Sequence, residues 1–317
     1  MARKPRIHVD GALYHVILRG NGGQIIFLSD EDREAFEALV AEGVSRFGHR
    51  IHAYCWMGNH VHFAIQVADT PLSKIMQNIA FRYTRLINRR EKRIGHLFQG
   101  RYKALLVDAD SYLLELVRYI HLNPVRAKLV ADPAEHAWSG HLAYLGKAHK
   151  AWLTTDWVLS QFAKSTGAAR RRYETFVRAG LHEGHREEFH RERLEGAILG
   201  EDRFVEKIIS RQAMQASRRI SFDAIMQAVV HTWETSEDAL QSSSRARTFV
   251  QARSAAVYLV AEYGDVTLSS LGKLLNRDVS TLSTGAQSIR SALPDDPALR
   301  RKIRMALANA RARQKTQ

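Results

Sequence analysis

Two strings in this chain carry residue types whose spacing could do chemistry together. Trp56-Met57-Gly58-Asn59-His60-Val61-His62-Phe63 places two histidines at i and i+2, and Arg118-Tyr119-Ile120-His121-Leu122-Asn123-Pro124 places a phenol and a carboxamide at i and i+4. Side chains alternate along a strand, so His60 and His62 would face one way and both imidazoles could reach one divalent ion. If 111–123 is a helix, Tyr119 and Asn123 share a face. Laid across the strand, that helix could bring the Asn123 oxygen in as a third ligand and hold Tyr119 where a metal-bound phosphate would meet the phenol. An ordinary tyrosine has a pKa near 10, so only about 0.1% is phenolate at neutral pH, and activation must come from the site. Mixed nitrogen and oxygen donors accept magnesium or manganese, the latter being the better match to imidazole. Such an ion polarises a nonbridging phosphate oxygen and aligns the phosphorus for in-line attack. On the residues alone the plainer alternatives stay open: ordinary strand histidines, a tyrosine packed in a core, and an asparagine capping a helix end before Pro124. Glu115, one turn before Tyr119, is a proton acceptor, a further ligand or simply a surface glutamate.

The elements that must position these groups can be read around them. Residues 12–18 form a first strand, broken by the Gly20-Asn21-Gly22-Gly23 cluster. Asp30 caps a helix to about Phe47, with Phe36, Leu39, Val40 and Val44 at helical spacing. Residues 51–57 and 61–67 are strands joined at Gly58-Asn59, a pair suited to a two-residue turn of positive φ. Pro71 starts a second helix over about 72–90, whose apolar Leu72, Ile75, Met76, Ile79 and Leu86 alternate with Lys74 and arginines. A short strand over 102–107 follows, then Ser111 caps the tyrosine helix and Pro124 stops it. The order β-α-β-β-α-β-α predicts an α+β fold, a ferredoxin-like antiparallel sheet with helices on one side.

The chain of 317 residues is long enough for two or three domains, and its net charge of +14 favours a polyanionic partner, nucleic acid first. The lone Cys55 excludes an intrachain disulfide and speaks against a thiolate zinc site. No apolar stretch follows the basic N-terminus and none approaches the ~18 residues of a membrane helix, which predicts a soluble cytoplasmic protein without a membrane partner. Residues 146–241 read as a helical, charged connecting region. His182, His185 and His190 there lack the His-Glu-x-x-His spacing of zinc proteases and fit a solvated helix.

Over residues 5–145 the chain resembles the HUH (His-hydrophobic-His) single-tyrosine transposases, most closely their branch associated with repetitive extragenic palindromes (REP). Four ordered blocks carry the resemblance: Tyr14-His15-Val16 with Arg19-Gly20-Asn21; Gly58-Asn59-His60-Val61-His62; Gly95-His96-Leu97-Phe98-Gln99-Gly100-Arg101-Tyr102; and Tyr119-Ile120-His121-Leu122-Asn123-Pro124-Val125-Arg126-Ala127. Carried over residue by residue, it makes His60, His62 and Asn123 ligands of Mg2+ or Mn2+ and Tyr119 the nucleophile. The tyrosine would cut single-stranded or hairpin DNA and keep the 5′-phosphate as a covalent ester. One ester replaces another, so rejoining needs no nucleotide triphosphate, in keeping with the lack of a Gly-x-x-x-x-Gly-Lys-Ser/Thr loop. His121 falls on another helical face, as a structural residue or a phosphate contact.

DNA contacts are expected from His96, Gln99, Arg101 and Tyr102, which mix stacking, amide and cationic groups, with Phe98 as stacking or core. The basic helix face of Arg82, Arg85, Arg89, Arg90, Lys92 and Arg93 would track phosphates. Six such contacts on a single strand predict a log-log salt slope of about −4. Family members work as dimers or monomers, and the REP-associated resemblance leans to a monomer. The rival readings are a domesticated regulator that binds DNA without cutting it, and an RNA-binding module that would favour RNA over matched DNA.

Beyond the Ser242-Ser243-Ser244 stretch, residues 242–317 read as a helix-turn-helix domain. Over 244–305 they resemble the C-terminal DNA-binding domain of the bacterial chromosomal replication initiator. That resemblance makes 268–274 the supporting helix and 279–290 the recognition helix, with Ser280, Thr281 and Ser283 facing bases in duplex DNA and Arg245 and Arg247 on phosphates or the adjacent groove. Val279 and Ser280 stand where that family usually has His and Thr, which alters the duplex sequence it would read.

Overall fold

The structure, a computed structural model, describes residues 8–184, 186–189, 198–217, 219–242, 244 and 246–314. Its contacts divide the chain into two compact units, 1–208 and 209–317. The first contains β1 (Leu13–Arg19), α1 (Asp30–Phe47), β2 (Arg50–Trp56), β3 (His60–Gln66), α2 (Leu72–Arg90), β4 (Lys103–Val107), α3 (Ala109–His121), α4 (Asn123–Arg126), α5 (His141–Tyr144), α6 (Asp156–Ser160), α7 (Thr166–Ala179) and β5 (Ile198–Leu199). Helix α8 (Asp202–Ser217) crosses the division.

The strands form one sheet in the order β2-β3-β1-β4-β5, antiparallel apart from the short β4–β5 pair. The alternation of β3 sorts its residues between two faces. Phe63 and Trp56 meet Phe36 of α1 at ring separations of 6.2 and 5.2 Å, and Tyr83 of α2 meets Phe36 at 4.9 Å, so the crossover helices cover that face. His60 and His62 occupy the other face, where α3 packs against β2 and β3. The α+β fold is as expected, but the helices are not all on one side. The two crossover helices share a face, and the tyrosine helix lies opposite them, on the side the histidine parity demands.

Three local expectations are corrected. The β2–β3 connection is the expected Gly58-Asn59 pair, with Met57 N donating to His60 O (2.8 Å) across it, but neither Gly58 nor Asn59 has the positive φ expected of the turn. The 20–27 segment holds this loop from outside. Ile26 N donates to Gly58 O (2.9 Å) and Gly20 N to Asn59 O (2.8 Å), which removes the need for a self-contained turn of positive φ. Helix α3 is capped by Asp108, whose carboxylate accepts from Asp110 N (3.3 Å) and the Ser111 hydroxyl (3.2 Å), so Ser111 lies inside the first turn. Pro124 does not stop the chain's helical path. It sits in the first turn of α4, where its missing N–H costs nothing, so Tyr119 and Asn123 stand on successive helices rather than on one.

The second unit is all helical: α9 (Phe222–Trp233), α10 (Glu237–Gln241), α11 (Arg247–Tyr263), α12 (Leu268–Leu274), α13 (Val279–Ala292) and α14 (Pro297–Gln314). Its core joins Ile225 and Val229 of α9 to Ala256 and Leu259 of α11, Leu271 of α12, Leu282 and Ile289 of α13, and Ala306 of α14. Residues 222–241, within the stretch assigned by composition to the connecting region, thus contribute to this core. Helices α12 and α13 coincide with the expected supporting and recognition helices. Among the described residues, no helix is long and apolar enough to cross a membrane.

Candidate active site

Registered against β3, β1 completes one face of the site. Ile17 pairs with His62 and Arg19 with His60, which sets His15 diagonally beside His62 on the same face. The rings of His60 and His62 lie 5.0 Å apart, and the Tyr119 ring, brought in by α3, lies 6.2 Å from His62 and 5.8 Å from His15. The structure therefore gathers His60, His62 and Tyr119.

The fixed hydrogen bonds decide which atoms of the histidines can hold a metal. Asn59 Nδ2 donates to Gly23 O (3.1 Å), so its Oδ1 is the atom 2.6 Å from His60 Nδ1. An amide oxygen only accepts, which puts the proton of a neutral His60 on Nδ1 and its lone pair on Nε2. His62 Nδ1 lies 3.0 Å from His15 Nε2, so Nε2 is the ring nitrogen of His62 that could serve a metal. Asn123 is buried, and its Nδ2 donates to the carbonyls of Tyr119 (3.1 Å) and Ile120 (3.2 Å), so it closes the end of α3 and has Oδ1 as its donor atom for a metal. Two imidazoles and an amide oxygen fit Mg2+ or Mn2+ as a donor set. Among the described residues, no group of three or more His, Cys, Asp or Glu is arranged to hold a metal ion.

Tyr119 is 3% exposed. Phe189 packs on its ring at 4.8 Å, and the Arg126 guanidinium sits over it at 3.9 Å while also donating to the Tyr119 carbonyl. Burial pushes the phenol's pKa up from its ordinary value, opposed by the charge and hydrogen bonding of Arg126 and assisted by Glu188. The phenol is therefore neutral and sheltered in this conformation. Glu115, weighed as a base or ligand, bonds Arg118 at 2.7 Å and Arg186, tying 186–189 to α3. His121 is structural, with its Nδ1 2.7 Å from the buried Tyr173 hydroxyl.

The expected DNA contacts divide. On α2 and its tip, Arg85, Arg89 and Lys92 are exposed, whereas Arg82 bonds Glu42 (2.6 Å) and Arg90 bonds Asp32 and Glu91 (2.8 Å). Arg93 reaches Gln24 at 2.6 Å. His96, Gln99 and Arg101 are exposed, while Tyr102 and Phe98 are buried, though both line a cavity of about 460 Å3 with Phe81 and Met76. Ser280, Thr281 and Ser283 are exposed on α13 and Arg247 on α11; Arg245, His185 and His190 lie outside the described residues, and His182 is exposed.

Sequence reasoning missed four residues that complete the site. His15 and Arg126 were visible inside quoted blocks but had no role. His15 needed the strand register to come beside His62, and Arg126 needed the α3–α4 path to return it over Tyr119. Asn59 was read only as a turn residue. Phe189, far along the chain, gives no sequence signal.

Comparisons with known proteins divide along the same lines. Residues 8–123 match the family described as "Transposase IS200 like", and residues 222–289 match the bacterial DnaA helix-turn-helix. The chromosomal replication initiator protein DnaA of Oleidesulfovibrio alaskensis is 32% identical over 84 residues, 26% of this chain and 18% of that protein. DnaA of Chloroflexus aurantiacus is 33% identical over 90 residues, 28% of this chain and 19% of that protein. The chain thus spans under a fifth of these relatives' length. A solved structure of a REP-associated tyrosine transposase bound to a REP hairpin aligns at 13% identity with a TM-score of 0.42, covering 49% of this chain and 98% of that one.

Proposed function

We propose that this chain, an IS200-like transposase domain over residues 8–123 followed by a DnaA-type helix-turn-helix over 222–289, nicks and rejoins single-stranded or hairpin DNA through Tyr119. REP-type palindromes are the hairpin class it acts on. The observation that supports this most directly is the Tyr119 ring 6.2 Å from His62, on the sheet face that presents His60.

In this reading Nε2 of His60, Nε2 of His62 and Oδ1 of Asn123 hold Mg2+ or Mn2+, which supplies Lewis-acid polarisation of the scissile phosphate when bound. Tyr119 gives up its phenolic proton and forms the oxygen–phosphorus bond, while the bond from phosphorus to the 3′-oxygen breaks and that oxygen takes up a proton. The DNA 5′-phosphate remains on the tyrosine, and attack by a 3′-hydroxyl reverses the exchange. Arg126, whose guanidinium sits over the ring at 3.9 Å, offsets the cost of ionising the phenol. Since Phe189 covers the ring, substrate entry requires the Arg186–Phe189 segment to give way. Exposed Arg85, Arg89 and Lys92 guide the strand, and α13 adds duplex binding through Ser280, Thr281 and Ser283. The chain acts as a monomer making one cut.

The test is incubation with end-labelled REP-type hairpins and Mn2+, followed by denaturing electrophoresis. A covalent adduct that disappears in Tyr119→Phe and with chelator is expected. Hairpin binding without any adduct across substrates and metals would leave the protein as a DNA-binding regulator.

A further inference from the structure

We propose that His15 is a positioning residue that fixes the tautomer of His62, and that the Phe189 carbonyl in turn fixes His15. The inference rests on the reading of His62 as a metal ligand and adds what sets that ligand up.

The chain of atoms begins at a group of unambiguous polarity. His15 Nδ1 lies 3.3 Å from the Phe189 carbonyl oxygen, which can only accept, so the proton of a neutral His15 is on Nδ1. Its Nε2 then carries a lone pair and accepts from the nitrogen 3.0 Å away, His62 Nδ1. The His62 proton is thereby on Nδ1 and its lone pair on Nε2. The two rings are inclined by only 13° with centroids 5.2 Å apart. That spacing fits an edge-to-edge N–H···N bond between nearly coplanar rings, since faces in contact would bring the centroids closer. Both histidines are buried, and the bond sits on the sheet face under α3, so water does not compete for these nitrogens. Asn59 does the same for His60 by an independent bond (2.6 Å). Each neutral imidazole thus carries its lone pair on Nε2, the tautomer that ligation through that nitrogen needs. The bond to Phe189 further links this orientation to the segment that covers Tyr119.

A metal ligand's outer partner typically changes affinity 10- to 100-fold when removed. Glutamine can replace His15 in kind, accepting through Oε1 and donating through Nε2, whereas leucine can do neither. The test uses the full-length protein, 15N-labelled and metal-free, with long-range 1H–15N spectra assigning His62 by loss of its signals in His62→Gln. Wild type is expected to show His62 protonated on Nδ1. His15→Leu is expected to move it toward Nε2–H and to weaken Mn2+ binding, measured by calorimetry, by about 10-fold or more. His15→Gln is expected to restore both. An Nε2–H His62 in the wild type overturns the proposal, as does an unchanged tautomer or unchanged Mn2+ affinity in His15→Leu. Should His15→Leu fail to fold, the wild-type spectrum and His15→Gln still decide it. Failure of DNA cleavage with the tautomer shift and Mn2+ response intact would instead sink the proposed function and leave this inference standing.

Discussion

At the scale of single residues, Tyr119 presents a tension between shelter and reactivity. Burial raises its pKa, and Arg126, stacked at 3.9 Å, is the cation that opposes this rise. Arg126→Leu should therefore raise the phenol's pKa further, read by ultraviolet titration, and slow single-turnover adduct formation by about 100-fold, the scale of losing one electrostatic stabiliser. An unchanged rate would remove Arg126 from the mechanism. His49 offers a second residue-level prediction, about stability. Its ring is buried, neither ring nitrogen has a hydrogen-bond partner, and burial pushes its pKa down to about 4. The unfolded chain binds this proton near pH 6.5 and the folded one only near 4, so the folded state loses stability as pH falls through that window. The loss is about 3 kcal/mol at most for this group. His49→Phe should flatten the fall seen by urea unfolding between pH 7 and 4.5, and an equally steep fall in the variant would contradict this.

At the scale of elements, α3 is placed by a buried polar cluster as much as by its apolar face. The Tyr173 hydroxyl of α7 lies 2.7 Å from His121 Nδ1 on α3 and 2.7 Å from His141 Nδ1 on α5. One hydroxyl can donate to one ring and accept from the other, so the two histidines are held in opposite tautomers. Tyr173→Phe strands both nitrogens and should cost about 2 kcal/mol or more in unfolding free energy, while a loss below about 0.5 kcal/mol would mean the rings find other partners. Helices and strands of this unit were legible because their apolar periodicity is local: α2 matches its expected span, α1 starts one residue earlier than expected because Ser29 rather than Asp30 is its N-cap, paired with Asp32 in a capping box, and His60 and His62 share a face as period two requires. What the sequence could not show is pairing at a distance. The Tyr173 bond spans 52 residues to His121, and the Phe189 carbonyl is 174 residues from His15, separations that no periodicity encodes. Capping was ambiguous for a related reason, since Asp108 and Ser111 both suit a helix start and only the fold chose between them.

At the scale of the whole molecule, a net charge of +14 sets the attraction to a polyanion, but partners within the protein decide how much of it DNA can use. Six basic residues along α2 and its tip would give a salt slope of about −4 on single-stranded DNA. Arg82 and Arg90 are already committed to Glu42, Asp32 and Glu91, and the Asp32 carboxylate is fully buried. Breaking the Arg90–Asp32 pair would leave that carboxylate uncompensated, so Arg90 stays with it. Arg85, Arg89, Lys92 and Arg93 remain, and four contacts give a slope of about −3 for this patch. Fluorescence anisotropy with single-stranded oligonucleotide across a salt series should show the slope flatten by about 1.4 in Arg85→Ala/Arg89→Ala, at about 0.7 per lost contact, with no change in Arg82→Ala. A double variant with the wild-type slope would deny that this helix face touches phosphate. The second unit is separable in the same assay, because Ser280→Ala/Thr281→Ala on α13 alters groups suited to base edges rather than phosphates. It should lower discrimination among duplex sequences while leaving both the single-strand slope and the Tyr119 adduct unchanged, and a fall in adduct yield would show that α13 serves the cutting reaction directly.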